Sequence, residues 1–176
     1  MKKISLSSLP IFALALTILS ACSGGGGSGT QPQPTTAVLT LATEVTGTIP
    51  APTVIAGYDV TITLPTGVTV KSTTPPQADA GVVVETVSGA IAGASYSQAT
   101  GKVHIIILSP KGNGFNGAGE FCKVNCDIAA GHYPTSTDFQ QQPTFKAIGL
   151  DDPNAGKPST VNLTGQLSMK VTAVIN

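Results

Sequence analysis

From residue 161 to the end of the chain, Val161, Leu163, Leu167, Met169, Val171, Ala173 and Ile175 all fall on odd positions. Asn162, Thr164, Gln166, Ser168, Lys170 and Thr172 fill the even positions from 162 to 172. Successive side chains of a strand point to opposite faces, whereas a helix repeats every 3.6 residues. Only an extended chain with one face against a core accommodates this pattern. A slip of one residue would turn the whole apolar set to water, so the register is well specified. The same alternation places Leu39, Leu41 and Val45 against Thr40, Glu44 and Thr46. It also places Val60, Ile62 and Leu64 against Asp59, Thr61 and Thr63. Pro65-Thr66-Gly67 is a turn, after which Val68 and Val70 resume the pattern. Gly165 is expected to mark a bulge where one long C-terminal strand bends.

Further strands are predicted over residues 81–87, 90–97, 102–109, 120–128 and 144–150. Pro75-Pro76, Thr100-Gly101 and residues 111–119 supply turn signals between them. No stretch reads as an amphipathic helix, and residues 129–139 leave room for one short turn. About eight or nine short strands at this spacing predict an all-β fold, a two-sheet antiparallel β-sandwich. Composition agrees. The 176 residues include 20 Gly and 13 Pro, only 10% are charged, and every basic residue is a lysine. A soluble helical protein would carry more Glu, Lys, Arg and Leu. A nucleic-acid binder would show an arginine-rich basic stripe, so no nucleic-acid partner is expected.

The N-terminus carries a different signal. Lys2 and Lys3 precede a short apolar run at residues 11–19, followed by Leu19-Ser20-Ala21-Cys22. The run is shorter than the ~20 apolar residues that span a bilayer, and reads as a signal peptide. The tetrapeptide resembles a bacterial lipobox. That resemblance implies cleavage between Ala21 and Cys22 and attachment of diacylglycerol to the Cys22 thiol, with a further fatty acyl chain such as palmitate. A plain secretory peptide with an incidental cysteine is the alternative. Ser23 in place of Asp implies, for Gram-negative lipoproteins, sorting to the outer membrane, facing the periplasm or the cell surface. Residues 1–21 are thus the leader, 22–36 the lipidated cysteine with its tether, and 37–176 the sandwich. The tether, rich in Gly, Ser and Pro, reaches about 50 Å when stretched. Without Lys2 and Lys3, seven lysines face nine acids, a net charge of about −2 that draws the body neither to anionic lipid nor to nucleic acid.

The body resembles the cohesin-like domains of the carbohydrate-binding-module sandwich superfamily. Three stretches carry the likeness. They are Ile55-Ala56-Gly57-Tyr58-Asp59-Val60-Thr61-Ile62-Thr63-Leu64-Pro65, then Gly117-Ala118-Gly119-Glu120-Phe121-Cys122-Lys123-Val124, and Phe145 to Asp152 before the last strand. The loop from Asp151 to Gly156 is a loose version of the Asp/Asn/Gly loop of cohesins. The resemblance implies a flattened nine-stranded jelly roll with one sheet face free for binding. That face captures a dockerin in cohesins and polysaccharide in their relatives.

Residues 104–108, His-Ile-Ile-Ile-Leu, are apolar on both faces of a strand. Either a loop covers the outer face, or the sheet exposes an apolar patch that marks a partner surface. The candidate binding face therefore comprises His104, Ile106 and Leu108, with Tyr58 and Tyr96. The glycine-rich loop at 112–119 precedes a strand, whereas phosphate cradles precede a helix. Sugar platforms need rows of flat aromatic rings. There is no Trp, and Tyr58, Tyr96 and Tyr133 lie in separate elements, which favours protein recognition.

Cys122 and Cys126 share a strand face. In a regular strand they lie ~13 Å apart, while a disulfide needs Cα atoms within ~7 Å. Buried core thiols are the expected state; a disulfide across a break in the strand, or a metal site with His104 or His132, are the alternatives. No nucleophile motif accompanies either histidine, so no catalytic residue is assigned and no enzymatic activity expected. No cofactor is expected either. Asp151, Asp152 and Asn154 offer oxygen ligands for Ca²⁺, against the simpler reading of an Asx turn. The leading functional expectation is a lipid-anchored envelope protein that binds a protein partner. A polysaccharide-binding module and a self-assembling envelope subunit paired at edge strands are the alternatives.

Overall fold

Among the described residues, the alternating segments become ten strands that form two five-stranded sheets facing one core. A computed structural model describes residues 32–109, 115 and 119–176, and Pro32–Asn176 forms one unit. The leader, Ala21, Cys22 and most of the Gly-rich loop lie outside the described residues. The first sheet holds β1 (Thr36–Val45), β3 (Val68–Thr69), β4 (Val83–Glu85), β7 (Gly119–Ile128) and β10 (Leu167–Ile175). Its order is β10-β1-β7, and both β3 and β4 pair with the far side of β7. The second sheet runs β5-β6-β2-β8-β9, from β2 (Val54–Thr63), β5 (Ile91–Ser97), β6 (Lys102–Leu108), β8 (Thr144–Leu150) and β9 (Thr160–Asn162). Every pairing is antiparallel. The all-β sandwich expected from the alternation is what the chain forms.

The inward sets fill the space between the sheets. Leu39 and Leu41 of β1, Val60 and Ile62 of β2, Val103, Ile105 and Ile107 of β6, and Val124 of β7 are all buried. In β7 a bulge lets Leu41 pair with Cys122 and Ala42 with Glu120, skipping Phe121. The extra residue turns both Phe121 and Cys122 inward, where strict alternation would expose one of them. Phe121 stacks on Tyr58, with ring centroids 4.4 Å apart and planes 25° from parallel. Phe115, from the glycine-rich loop, meets the same ring at 5.1 Å. Thr43 is a buried polar residue on β1, and its hydroxyl bonds the Tyr58 hydroxyl at 2.9 Å, so neither oxygen is left unpaired.

The C-terminal segment departs from the expected bulge. Gly165 lies in a short 3₁₀ turn, Thr164–Gln166, and the strands on either side belong to different sheets. Leu163 N–H bonds Ala147 O in the second sheet, while Gln166 O accepts from Thr46 and Gly47 N–H at the end of β1. Odd residues still point inward on both sides because the two sheets line a single core. The short turn expected within 129–139 is the 3₁₀ turn Ser136–Phe139, held by Asp138, whose carboxylate accepts the Thr135 N–H (2.7 Å) and hydroxyl (2.8 Å). Among the described residues, no helix is long and apolar enough to cross a membrane.

Candidate functional site: the outer face of the second sheet

The register of the second sheet determines which residues stand side by side on its outer face. Ile91 of β5 is opposite Leu108 of β6, Leu108 is opposite Gly57 of β2, and Gly57 is opposite Ile148 of β8. One step along, the row reads Gly93, Ile106, Asp59 and Lys146; the next reads Ser95, His104, Thr61 and Thr144. The first two rows hold an aliphatic strip. Ile91 is 60% exposed, Leu108 47%, Ile106 41% and Ile148 38%.

Two glycines shape the strip. A Cβ at Gly57 would stand 2.6 Å from Leu108 Cδ2, so the missing side chain is what lets Leu108 lie across β2 toward Ile148. Gly93 has nothing within 4 Å of its would-be Cβ, which leaves bare backbone beside Ile106. A flat shelf results. Burying what remains exposed of these four side chains would contribute about 1 kcal/mol each. Polar groups border it. His104 Nε2 lies 2.7 Å from Asp59 Oδ1, and both side chains are roughly 40% exposed (43% and 40%). Lys146 and Ile148 also line a shallow hollow of about 370 Å³ with Thr160 and Asn162.

The strip sits at the end of the sheet away from the point where the chain enters β1. The chain enters β1 at Thr36, which is opposite Asp127 and bonded to Asn176. The turn after β2 delivers Val68 to Ile128, so the Thr63–Lys102 end of the second sheet shares that pole. Leu108, Ile91 and Ile148 occupy the other pole.

No family model, curated protein or solved structure matches this chain.

Of the residues expected on this face, His104, Ile106 and Leu108 are there. Tyr58 and Tyr96 are not, and this corrects the expectation. Tyr58 shares the inward parity of Val60 and Ile62 and is 1% exposed; Tyr96 is opposite the inward Val103 and is 7% exposed. Burial raises the pKa of both phenols. Ile91 and Ile148 take their places, and neither stands out in the sequence, because their side-by-side placement depends on pairings distant along the chain.

The remaining candidates resolve into packing and turns. Cys122 and Cys126 are buried free thiols in one strand. Burial first, then the nearby Glu85 and Glu120 charges, push the Cys122 thiol up to about 12. Burial and Asp127 push Cys126 up to about 12. His132 packs against Gly67; a Cβ on Gly67 would overlap the imidazole ring. Asp151 Oδ1 accepts N–H bonds from Ser159 and Asp152 (2.8 Å each), which hold its carboxyl below the usual range. Asp152 Oδ1 accepts from Asn154 N–H at 2.9 Å. These carboxylates are turned back onto their own loop, and no group of three or more His, Cys, Asp or Glu among the described residues is placed to hold a metal.

Proposed function

We propose that this chain is a lipid-anchored envelope protein, held to the outer membrane through Cys22, whose sandwich binds a protein partner without catalysis. The observation that carries the binding half is the exposed aliphatic strip of Ile91, Ile106, Leu108 and Ile148, bordered by the His104–Asp59 pair and Lys146. Contiguous exposed aliphatic groups with a polar border are a feature of protein interfaces. Glycan binding has less support, because Tyr133 is the one exposed tyrosine (58%) and no aromatic row exists on the described surface. The membrane half rests on the leader and the lipobox likeness. The cohesin likeness belongs to the same proposal and rests on its three sequence stretches.

Two measurements test the halves separately. Cys22→Ala should convert a membrane-pelleted, detergent-partitioning protein into an uncleaved or soluble form; unchanged fractionation sinks the anchor. For the face, a photocrosslinking residue at position 106 should trap a discrete protein adduct in intact cells, and one at position 172 should not trap the same adduct. The added substitution Leu108→Asp should cut that adduct by about tenfold or more, the loss expected when a charge enters an apolar contact. Adducts insensitive to Leu108→Asp, or enrichment of glycan alone, would refute the protein-binding face.

A further inference from the structure

A sheet ends in strands with unpaired backbone groups, and folded proteins manage such edges by shortening, covering or charging them. Three edges here follow that rule. β3, β4 and β9 span two or three residues each. β5 is covered: Tyr96 N–H bonds Pro76 O (2.6 Å), Ala78 N–H bonds Ala94 O (3.1 Å), and Ala92 N–H bonds Glu85 Oε1 (2.8 Å). β10 is different. It runs nine residues without proline or glycine and, among the described residues, pairs only with β1.

Its free groups can be assigned. Thr36 and Asn176 exchange both backbone bonds (3.2 and 2.9 Å), and Gln166 O accepts from Thr46. Antiparallel ladders alternate, so the even residues of β10 bond to β1 and the odd ones point their N–H and C=O outward. Leu167, Met169, Val171, Ala173 and Ile175 therefore form the open edge. The turn carrying Phe139 packs against β10, yet among the described residues no hydrogen bond from another element reaches these five. The side chains of Met169, Ala173 and Ile175 are also only partly buried, although they face the core. A strand laid alongside would satisfy the backbone and complete their burial together.

We propose that the occupant is β10 of a second copy, giving a two-fold dimer whose first sheets join into one continuous sheet. The axis passes at Val171. That register pairs Val171 with Val171 of the second copy, Met169 with Ala173, and Leu167 with Ile175, for about ten new backbone hydrogen bonds. On the outer face it sets Lys170, the one charge on the strand, opposite Thr172, and Ser168 opposite Val174. Moving the axis to residue 170 would oppose two lysines, which is disfavoured. Val171 is also the midpoint of β10, so this axis gives the longest overlap. The two tethers then leave from opposite ends of a strand about 30 Å long, within reach of one membrane at about 50 Å per tether. This inference does not depend on the outer-face reading, since the two surfaces lie on different sheets.

The register is testable by cross-linking. Residues 170 and 172 of opposite copies form a non-hydrogen-bonded pair with Cα atoms about 4.5 Å apart, inside disulfide range. In cells making the full chain, Lys170→Cys with Thr172→Cys should give a reductant-sensitive covalent dimer as the main species. Each single substitution should give several-fold less, and so should the displaced pair Ser168→Cys with Thr172→Cys. Adding Ala173→Pro to the first pair removes an outward N–H while sparing the β1 ladder, and should cut the dimer about tenfold. A monomer from the 170/172 pair, equal yields from the displaced pair, or a folded Ala173→Pro chain that still cross-links would overturn the proposal. An adduct to a different protein at 170/172 would also overturn it, replacing the second copy with a foreign strand.

Discussion

Replacing Tyr58 by alanine is expected to lower the unfolding free energy by about 3–5 kcal/mol, the range for deleting a fully buried aromatic ring. Tyr58 sits on the central strand of the second sheet, yet its main contacts are with the first. The ring stacks on Phe121 of β7, meets Phe115, and sends its hydroxyl to Thr43 of β1. One side chain thus ties the two sheets and the loop before β7. Such a loss is a large part of a typical domain's total stability of 5–15 kcal/mol. Denaturant titration of the full chain measures it, and a loss below about 1.5 kcal/mol would show that the ring is not the inter-sheet pin. The hydroxyl can be separated from the ring. Tyr58→Phe strands the Thr43 hydroxyl without a partner in the core, and should cost about 1–2 kcal/mol. Adding Thr43→Val to Tyr58→Phe removes the stranded group and should recover most of that cost. An additive pair would contradict the hydrogen bond.

Much of this architecture is legible in one dimension. The odd-numbered run from Val161 and the parity of β1, β2 and β6 specify strands and inward faces. Parity also contains the answer for Tyr58, which is even like Val60 and Ile62, although its hydroxyl and flat ring are also suited to an exposed binding face. Thr43 is odd like Leu39 and Leu41, and a polar residue at an inward position points to a buried hydroxyl partner. Other features are not recoverable from alternation. Parity cannot tell which sheet a strand joins when both sheets face one core, and so the chain's crossing at Thr164–Gln166 reads as a mere bend. The aliphatic strip is half visible: Ile106 and Leu108 stand out in an all-apolar run, but Ile91 and Ile148 join them only through the register of β5 and β8. The open edge of β10 is likewise a property of strand order. It follows from a turn covering β5 and from no described residue pairing beyond β10, neither of which the local sequence of β10 encodes.

Alkaline solution should destabilise this protein, and the two core thiols are the reason. Each thiol in the fold is pushed from 9.0 up to about 12, mainly by burial, so the unfolded chain ionises first as pH rises. Their neutral forms support the fold fully below pH 9, and the contribution fades as pH climbs from 9 toward 12. Above the unfolded value each such group costs about 1.4 kcal/mol per pH unit, or roughly 2 kcal/mol per thiol at pH 10.5. The two together should remove about 4 kcal/mol between pH 8 and pH 10.5. Tyr58 and Tyr96, also raised by burial, add in the same direction above pH 10. The measurement is a set of denaturant midpoints across this range, repeated for Cys126→Ala. That variant starts less stable at pH 8, because a buried group is lost from beside Val124. Its further decline to pH 10.5 should nevertheless be about 2 kcal/mol smaller than that of the unmodified chain. Parallel declines in the two proteins would mean that the Cys126 sulfur already reaches solvent in the folded state, and that β7 opens at the end where it meets β3.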